Sequence, residues 1–315
     1  MPVLFTDPIF LQHETGPHPE SPERLRTVQR VLSETGTLHD WDVRSPRPVA
    51  AEQLHRVHPA TYMESVRRFA ESGGGRIETD TVVSPASYDV ALRAAGAGVE
   101  AVDAVLGENA RAAVCLVRPP GHHAGASTPM GFCLFNNVAV AAEHARASHG
   151  LSRVLIVDWD VHHGNGTQDL FYESPAIWFL SVHRWPFYPG TGAADETGAG
   201  AGRGTTFNLP LPFGTSRKEY RERFHTLLRD AADRCRPELV LISAGFDAHA
   251  ADPIGSLGLE SEDFTDLTRL VRDVADQHCG GKIVSVLEGG YNVEKLAESV
   301  VCHLNALRER IRDKG

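Results

Sequence analysis

The chain has 315 residues, 42% apolar and 23% charged, an ordinary globular composition that allows a large core and excludes long disorder. A formal charge of −10 excludes general affinity for nucleic acid or anionic membrane, while favouring encounter with a cationic substrate. Five cysteines without a C-x-x-C pair exclude a disulfide framework and a thiolate zinc site; with no export signal at the N-terminus and no apolar run approaching the roughly 18 residues of a membrane span, the expected setting is the reducing cytoplasm.

Residues 2–6 read as a first short strand, and residues 13–24, broken by Pro17, Pro19 and Pro22, as a surface loop. Helical patterns follow over about 22–33 and 59–70, and Gly73, Gly74 and Gly75 make a turn. A third helix runs from about 84 to 106, with Ala91, Leu92, Ala95, Val99 and Val102 on one stripe. Then a strand-helix rhythm begins, with apolar runs at 112–117, 154–157, 177–182, 239–242 and 283–287 reading as buried strands. Ser216 and Glu219 open a helix as a capping box, and further helices are expected over about 261–277 and 293–312. This order predicts an α/β protein, a single domain over 1–315 with a predominantly parallel sheet between two helical layers. Gly198 to Gly204 reads as a loop lacking the last glycine of a dinucleotide fingerprint. No Walker, G-x-S-x-G or H-E-x-x-H sequence is present.

Four of the strands end in unusual polar sequence: Arg118-Pro119-Pro120-Gly121-His122-His123, then Asp158-Trp159-Asp160-Val161-His162-His163-Gly164-Asn165, then Ala244-Gly245-Phe246-Asp247-Ala248-His249, and Glu288-Gly289-Gly290-Tyr291-Asn292. Ligands of open parallel sheets gather at the carboxyl ends of strands, which joins these four into one site. If the extended geometry continues past residue 157, Asp158, Asp160 and His162 project to one side. The Asp-x-Asp-x-His end supplies two metal ligands and Asp247 a third, leaving a position open as in catalytic zinc; iron(II) or another first-row metal also suits so oxygen-rich a set. A cation so held lowers the pKa of water toward ~7 and polarises a carbonyl, and a nearby histidine exchanges protons, which together describe amide hydrolysis.

On these motifs the chain resembles the histone deacetylase family, within the arginase–deacetylase fold, and is most similar to its bacterial class II-like members. The resemblance extends from His18-Pro19-Glu20 to Tyr291. It implies one zinc on Asp160, His162 and Asp247, with His123 as general base and then acid, His122 as its electrostatic partner, and Tyr291 stabilising the tetrahedral oxyanion. It implies that Asp158 orients His122 and helps hold a potassium or sodium ion near Asp158, Asp160, His162, Ser181 and Val182. Asn165 becomes a neutral partner of His123, making it a weaker base. Gly131, Phe132 and Tyr188 match positions lining a narrow acyl-chain tunnel, with Ile254 near its rim, and Arg24 resembles an arginine near an acetate-release channel. Cys133, His163, His183 and His249 read as packed or supporting groups.

The substrate so implied is an acyl-lysine peptide or a small acylated amine. Polyamine-specific relatives add an acid at the tunnel rim or a long dimerising insertion, and neither is visible here, so acetylpolyamine hydrolysis is the alternative. Two-metal ureohydrolases of the same fold place acids where this chain has Gly164 and His249. A non-catalytic acyl-lysine binder would not require the tandem histidines and Tyr291.

Overall fold

Nearly unbroken runs of Val, Leu and Ile leave Val154–Asp158, Leu239–Ala244 and Ile283–Leu287 without a solvent face, and each is buried from end to end. Over the described residues of the computed structural model, 1–108 and 110–309, the strands in chain order are β1 (Val3–Phe5), β2 (Asp42–Arg44), β3 (Gly75–Arg76), β4 (Val82–Val83), β5 (Ala112–Cys115), β6 (Val154–Asp158), β7 (Ile177–Arg184), β8 (Thr206–Leu211), β9 (Leu239–Ala244) and β10 (Ile283–Leu287). All but β3 and β4 form one eight-stranded sheet in the order β2-β1-β5-β10-β9-β6-β7-β8. Every pair in it is parallel.

The four strands with polar ends, β5, β10, β9 and β6, are therefore adjacent. Their register aligns the ends: Asp158 lies opposite Ser243, Leu287 opposite Ala244, and Val286 opposite Cys115. The order along the sheet reverses the order in the chain between β5 and β6, and such switch points open a crevice at the strand ends.

The helices are α1 (Glu23–Thr35), α2 (Ala51–Leu54), α3 (Ala60–Glu71), α4 (Ser87–Gly107), α5 (Asn137–His149), α6 (Asn165–Phe171), α7 (Arg217–Cys235), α8 (Asp263–Cys279) and α9 (Val293–Arg308). Helices α1, α9, α8 and α7 pack in succession on one side and α4, α5 and α6 on the other, giving three layers. Of the expected capping box the Ser216 arm is present, its hydroxyl accepting from Glu219 N, while the Glu219 carboxylate faces Arg223; Asn136 and Asn292 cap α5 and α9 as Ser216 caps α7. Among the described residues, no helix is long and apolar enough to cross a membrane.

Three expectations are corrected. Residues 13–24 are not a surface loop: His13, Glu20 and Arg24 are buried, because Glu20 accepts from Arg118 Nε (2.5 Å) and Nη2 (2.7 Å) and from Arg24 Nη1 (3.1 Å). A buried carboxylate between two guanidiniums has the pairing that lets charge leave water. Second, α1 begins at Glu23, one residue inside the expected start, and α4 at Ser87, three residues inside, and α9 ends at Arg308; the expected continuation over 310–312 lies outside the described residues. Third, the short charged edge strand β2, the β3–β4 ribbon and β8, which contains Pro210, escape an apolar-run reading.

Candidate active site

Strand β6 stops at Asp158 because the acids beyond it fold the chain over. Asp158 Oδ1 accepts from Asp160 N (3.1 Å), and Asp160 Oδ1 accepts from His162 N (2.9 Å), each a side-chain-to-backbone turn two residues long. The expected extended continuation therefore fails, and the three residues diverge. Asp158 turns to His122, whose Nδ1 donates to its Oδ2 at 2.9 Å. His162 Nδ1 stands 3.0 Å from Asp160 Oδ1 and 3.2 Å from Asp247 Oδ2.

Ligand atoms of Asp160, His162 and Asp247 all lie within 4.8 Å of one another, and all three residues are buried. Asp247 Oδ1 accepts from Val161 N (2.8 Å) and Asp160 Oδ2 from Gly289 N (2.9 Å), but Asp247 Oδ2 is buried with no hydrogen-bond partner. A Cβ at Gly289 would collide with both Asp247 Oδ2 and Asp160 Oδ2, so glycine keeps the space beside the carboxylates clear. Burial, with the neighbouring Asp160 charge, pushes Asp247 up to about 7. Against the opposite push of burial, the two acids raise His162 to about 10. Two buried carboxylates, one imidazole and an orphaned oxygen make a set that a divalent zinc or iron(II) ion would satisfy.

The tandem histidines sit beside this group with ring centres 4.0 Å apart and opposite electrostatics. Burial disfavours charge on His122, but Asp158 and Asp160 outweigh it and raise the ring to about 10. Burial and the His122 charge hold His123 well below the ordinary imidazole range, and its Nδ1 donates to Asn165 Oδ1 at 2.7 Å. The turn carrying the pair is fixed by Glu288, whose Oε2 accepts from Gly121 N (2.6 Å) and His122 N (3.2 Å) and whose Oε1 accepts from the Ser243 hydroxyl (3.1 Å).

Aromatic rings surround the histidines. Tyr188 meets His123 edge to face at 5.3 Å, Phe187 stacks on His162, and Phe132 meets Tyr291 edge to face at 5.7 Å. Phe132 holds a left-handed backbone, φ 71°, uncommon for a bulky residue. It is kept there by the turn between β3 and β4, where Asp80 Oδ1 accepts from Gly131 N and Thr81 Oγ1 from Phe132 N, both at 3.1 Å. A side chain at Gly131 would run into the His123 ring. Tyr188 and Ile254 are each 37% exposed.

The Tyr291 turn is braced twice. Asp252 Oδ2 accepts from Tyr291 N (2.7 Å) and Asn292 N (3.2 Å), while its Oδ1 accepts from Ile254 N and Gly255 N, both at 2.9 Å. Arg24 Nε donates to Gly290 O at 2.7 Å, and its guanidinium carbon stands 5.1 Å from the Tyr291 ring centre.

His163 pairs with Thr191 and Gln168, His183 with Ser181 and Gly192 O, and His249 Nδ1 accepts from Ala251 N, so none of these joins the cluster. Cys133 is buried, and burial pushes its thiol well up, the opposite of activation. Ser181 lies opposite Asp158 in the sheet, with Val182 buried beside it. Sequence reasoning missed Asp80, Asp252 and Phe187 and gave Glu288 no role. An acidic turn residue ordinarily reads as solvated, and nothing local marks the backbone it will hold.

Residues 18–307 match the family model described as the histone deacetylase domain. The chain is 39% identical to a histone deacetylase-like amidohydrolase of Pseudomonas aeruginosa, over 99% of this chain and 88% of that one. It is 41% identical to the human polyamine deacetylase HDAC10, over 91% of this chain and 44% of that protein. The crystal structure of the HDA15 HD domain superposes with a TM-score of 0.91 at 35% identity, covering 98% of this chain and 91% of that one.

Proposed function

The chain belongs to the histone deacetylase family and is a hydrolase of acetylated amides, and from that premise we propose that it is a one-zinc, single-domain cytoplasmic deacylase of N-acyl-lysine side chains. The observation that carries this reading is the buried Asp160, His162 and Asp247 group, with its orphaned Asp247 oxygen, beside a histidine pair of which His122 is bonded to Asp158 and His123 to Asn165. Bound there, zinc would supply Lewis-acid polarisation of the amide and activation of water.

The chain's own residues divide the remaining work. His123, held neutral and oriented through Nδ1 by Asn165, accepts the proton of the attacking water and returns it to the leaving amine. His122, charged and anchored on Asp158, lends positive potential to the developing oxyanion. The Tyr291 hydroxyl donates to that oxyanion from a turn fixed by Asp252 and Arg24. Phe132 and Tyr188 flank the aliphatic stem, and Gly131 leaves His123 unobstructed. A potassium or sodium ion near Asp158, Asp160, His162, Ser181 and Val182 belongs to this reading as a structural support. A second catalytic metal does not, since Gly164 abuts Asp158 Oδ2 with no room for an acid and His249 is engaged elsewhere. Five free cysteines support the cytoplasmic setting.

Substrate choice follows from the rim. Ile254 is aliphatic, and neighbouring Asp252, 8% exposed, already accepts from four backbone N–H groups, so neither offers a free oxygen to pair directly with a second ammonium. Acetylpolyamines are the second reading, favoured by Asp80 beside Tyr188 and by the human relative's name. We expect acetyl-lysine peptides to exceed acetylspermidine and acetylputrescine in kcat/KM at matched ionic strength. A tenfold preference for either polyamine would overturn the substrate assignment.

A further inference from the structure

A second group of metal-ligating side chains lies outside the catalytic crevice, between α4 and α5. Asp103, in α4, is approached by two histidines of α5: His144 Nε2 stands 2.8 Å and His149 Nε2 2.7 Å from the same carboxylate oxygen, Oδ1. The three ligand atoms lie within 4.8 Å of one another. We propose that Asp103, His144 and His149 form a non-catalytic site for a first-row divalent metal of the zinc class, clipping α4 to α5.

Around a tetrahedral ion with bonds of about 2.0–2.2 Å, ligand atoms stand roughly 3.3–3.6 Å apart. Seating a metal therefore requires each nitrogen to part from Oδ1 by roughly 0.5–0.9 Å, which side-chain rotation supplies. The donors are two imidazoles and one carboxylate, a set that suits zinc and its neighbours and leaves a position for water.

A partner for the tautomer that coordination needs is in place. Without metal both Nε2 atoms donate to Asp103 Oδ1; when coordination displaces that hydrogen from His144 Nε2, the ring can keep one on Nδ1, where Ser148 Oγ stands 3.2 Å away to accept from it. Arg56 Nη1 donates to the same hydroxyl at 3.2 Å, fixing it from the other side. The site is also reachable: His144 is 6% exposed, but His149 and Asp103 are 25% and 46% exposed. Its ligands were invisible in the sequence because the histidines are five residues apart in one helix and the acid lies 41 positions upstream of the nearer one.

This inference is independent of the deacylase reading, and its test uses the enzyme with the catalytic metal already in place. Titrating that holoenzyme with Zn²⁺ in a calorimeter should show one further equivalent bound, with a rise in Tm. Asp103→Asn and His149→Gln, both at partly exposed positions, should each weaken that equivalent at least tenfold and abolish the Tm rise while leaving kcat on an acetyl-lysine peptide unchanged. Absence of a further equivalent in the unsubstituted chain overturns the proposal. So does a further equivalent that persists in both variants, which would lie elsewhere, the catalytic crevice included.

Discussion

The metal-holding half of the crevice and its substrate-facing half are built differently. Asp160, His162 and Asp247 follow the central strands β6 and β9, and sheet register brings the two segments together before any side chain acts. Phe132, Tyr188, Ile254 and Tyr291 lie on loops and turns, and the backbone around Phe132, Ile254 and Tyr291 is held by Asp80, Thr81, Asp252 and Arg24. Damage to the first half should act on metal holding as a whole, whereas damage to the second should be graded and should appear mainly in turnover. That contrast also gives the carboxylates different jobs: Asp160 and Asp247 offer oxygens to a metal, Asp158 and Glu288 hold the tandem histidines, and Asp80 and Asp252 brace loops.

The sharpest probe of the substrate-facing half is Tyr291→Phe. Losing one oxyanion donor should lower kcat by roughly 10²–10³-fold with little change in substrate affinity and no loss of metal. Single-turnover kinetics with metal analysis would measure both. Unchanged kcat where chemistry limits turnover removes Tyr291 from the mechanism.

The interior beneath the metal-holding half predicts a stability effect. His303 packs edge to face on Trp159, lies within hydrogen-bond distance of Thr268 Oγ1 and Ser285 Oγ, and is lowered by burial to about 3. The unfolded chain binds its proton near pH 6.5 and the folded chain does not, so stability falls as pH drops from 6.5 toward 3. This site alone should account for about 2 kcal/mol between pH 7 and pH 5. His303→Gln should be less stable at pH 7 but lose correspondingly less on acidification, read from urea midpoints at the two pH values. An equal loss in both chains contradicts the buried neutral ring.

A smaller effect should follow Asp252→Asn. Asparagine keeps one acceptor oxygen, so one of the two pairs of backbone N–H groups loses its partner and the Tyr291 turn loosens. A roughly tenfold fall in kcat is expected with metal content intact. Loss of metal instead would place Asp252 with the binding carboxylates and break the comparison.

The same contrast explains what could be read from the chain alone. Asp160, His162, Asp247, His122, His123 and Tyr291 stand in compact motifs after apolar runs, so their grouping was legible through the rule that parallel strands gather ligands at their carboxyl ends. Sheet order, including the placement of β10 between β5 and β9, was not, because apolar runs carry no partner identity. Glu20 read as part of a solvated loop because its partner Arg118 lies 98 residues away. The assumed straight course through Asp158, Asp160 and His162 failed for a local reason, since each acid captured the N–H two residues ahead. Asp80 and Asp252 take their roles at the crevice from distant backbone, Gly131 for the one and Tyr291 for the other.

The most direct test of the central claim is reconstitution of a stripped enzyme. The Asp103→Asn chain, which removes the proposed α4–α5 site, is freed of metal with a chelator and then given Zn²⁺ while hydrolysis of an acetyl-lysine peptide is followed. Activity should be absent at the start and saturate at one equivalent per chain, and an added Asp247→Ala substitution should abolish both metal binding and recovery. A requirement for two equivalents, or full activity in the stripped chain, would contradict a one-zinc deacylase.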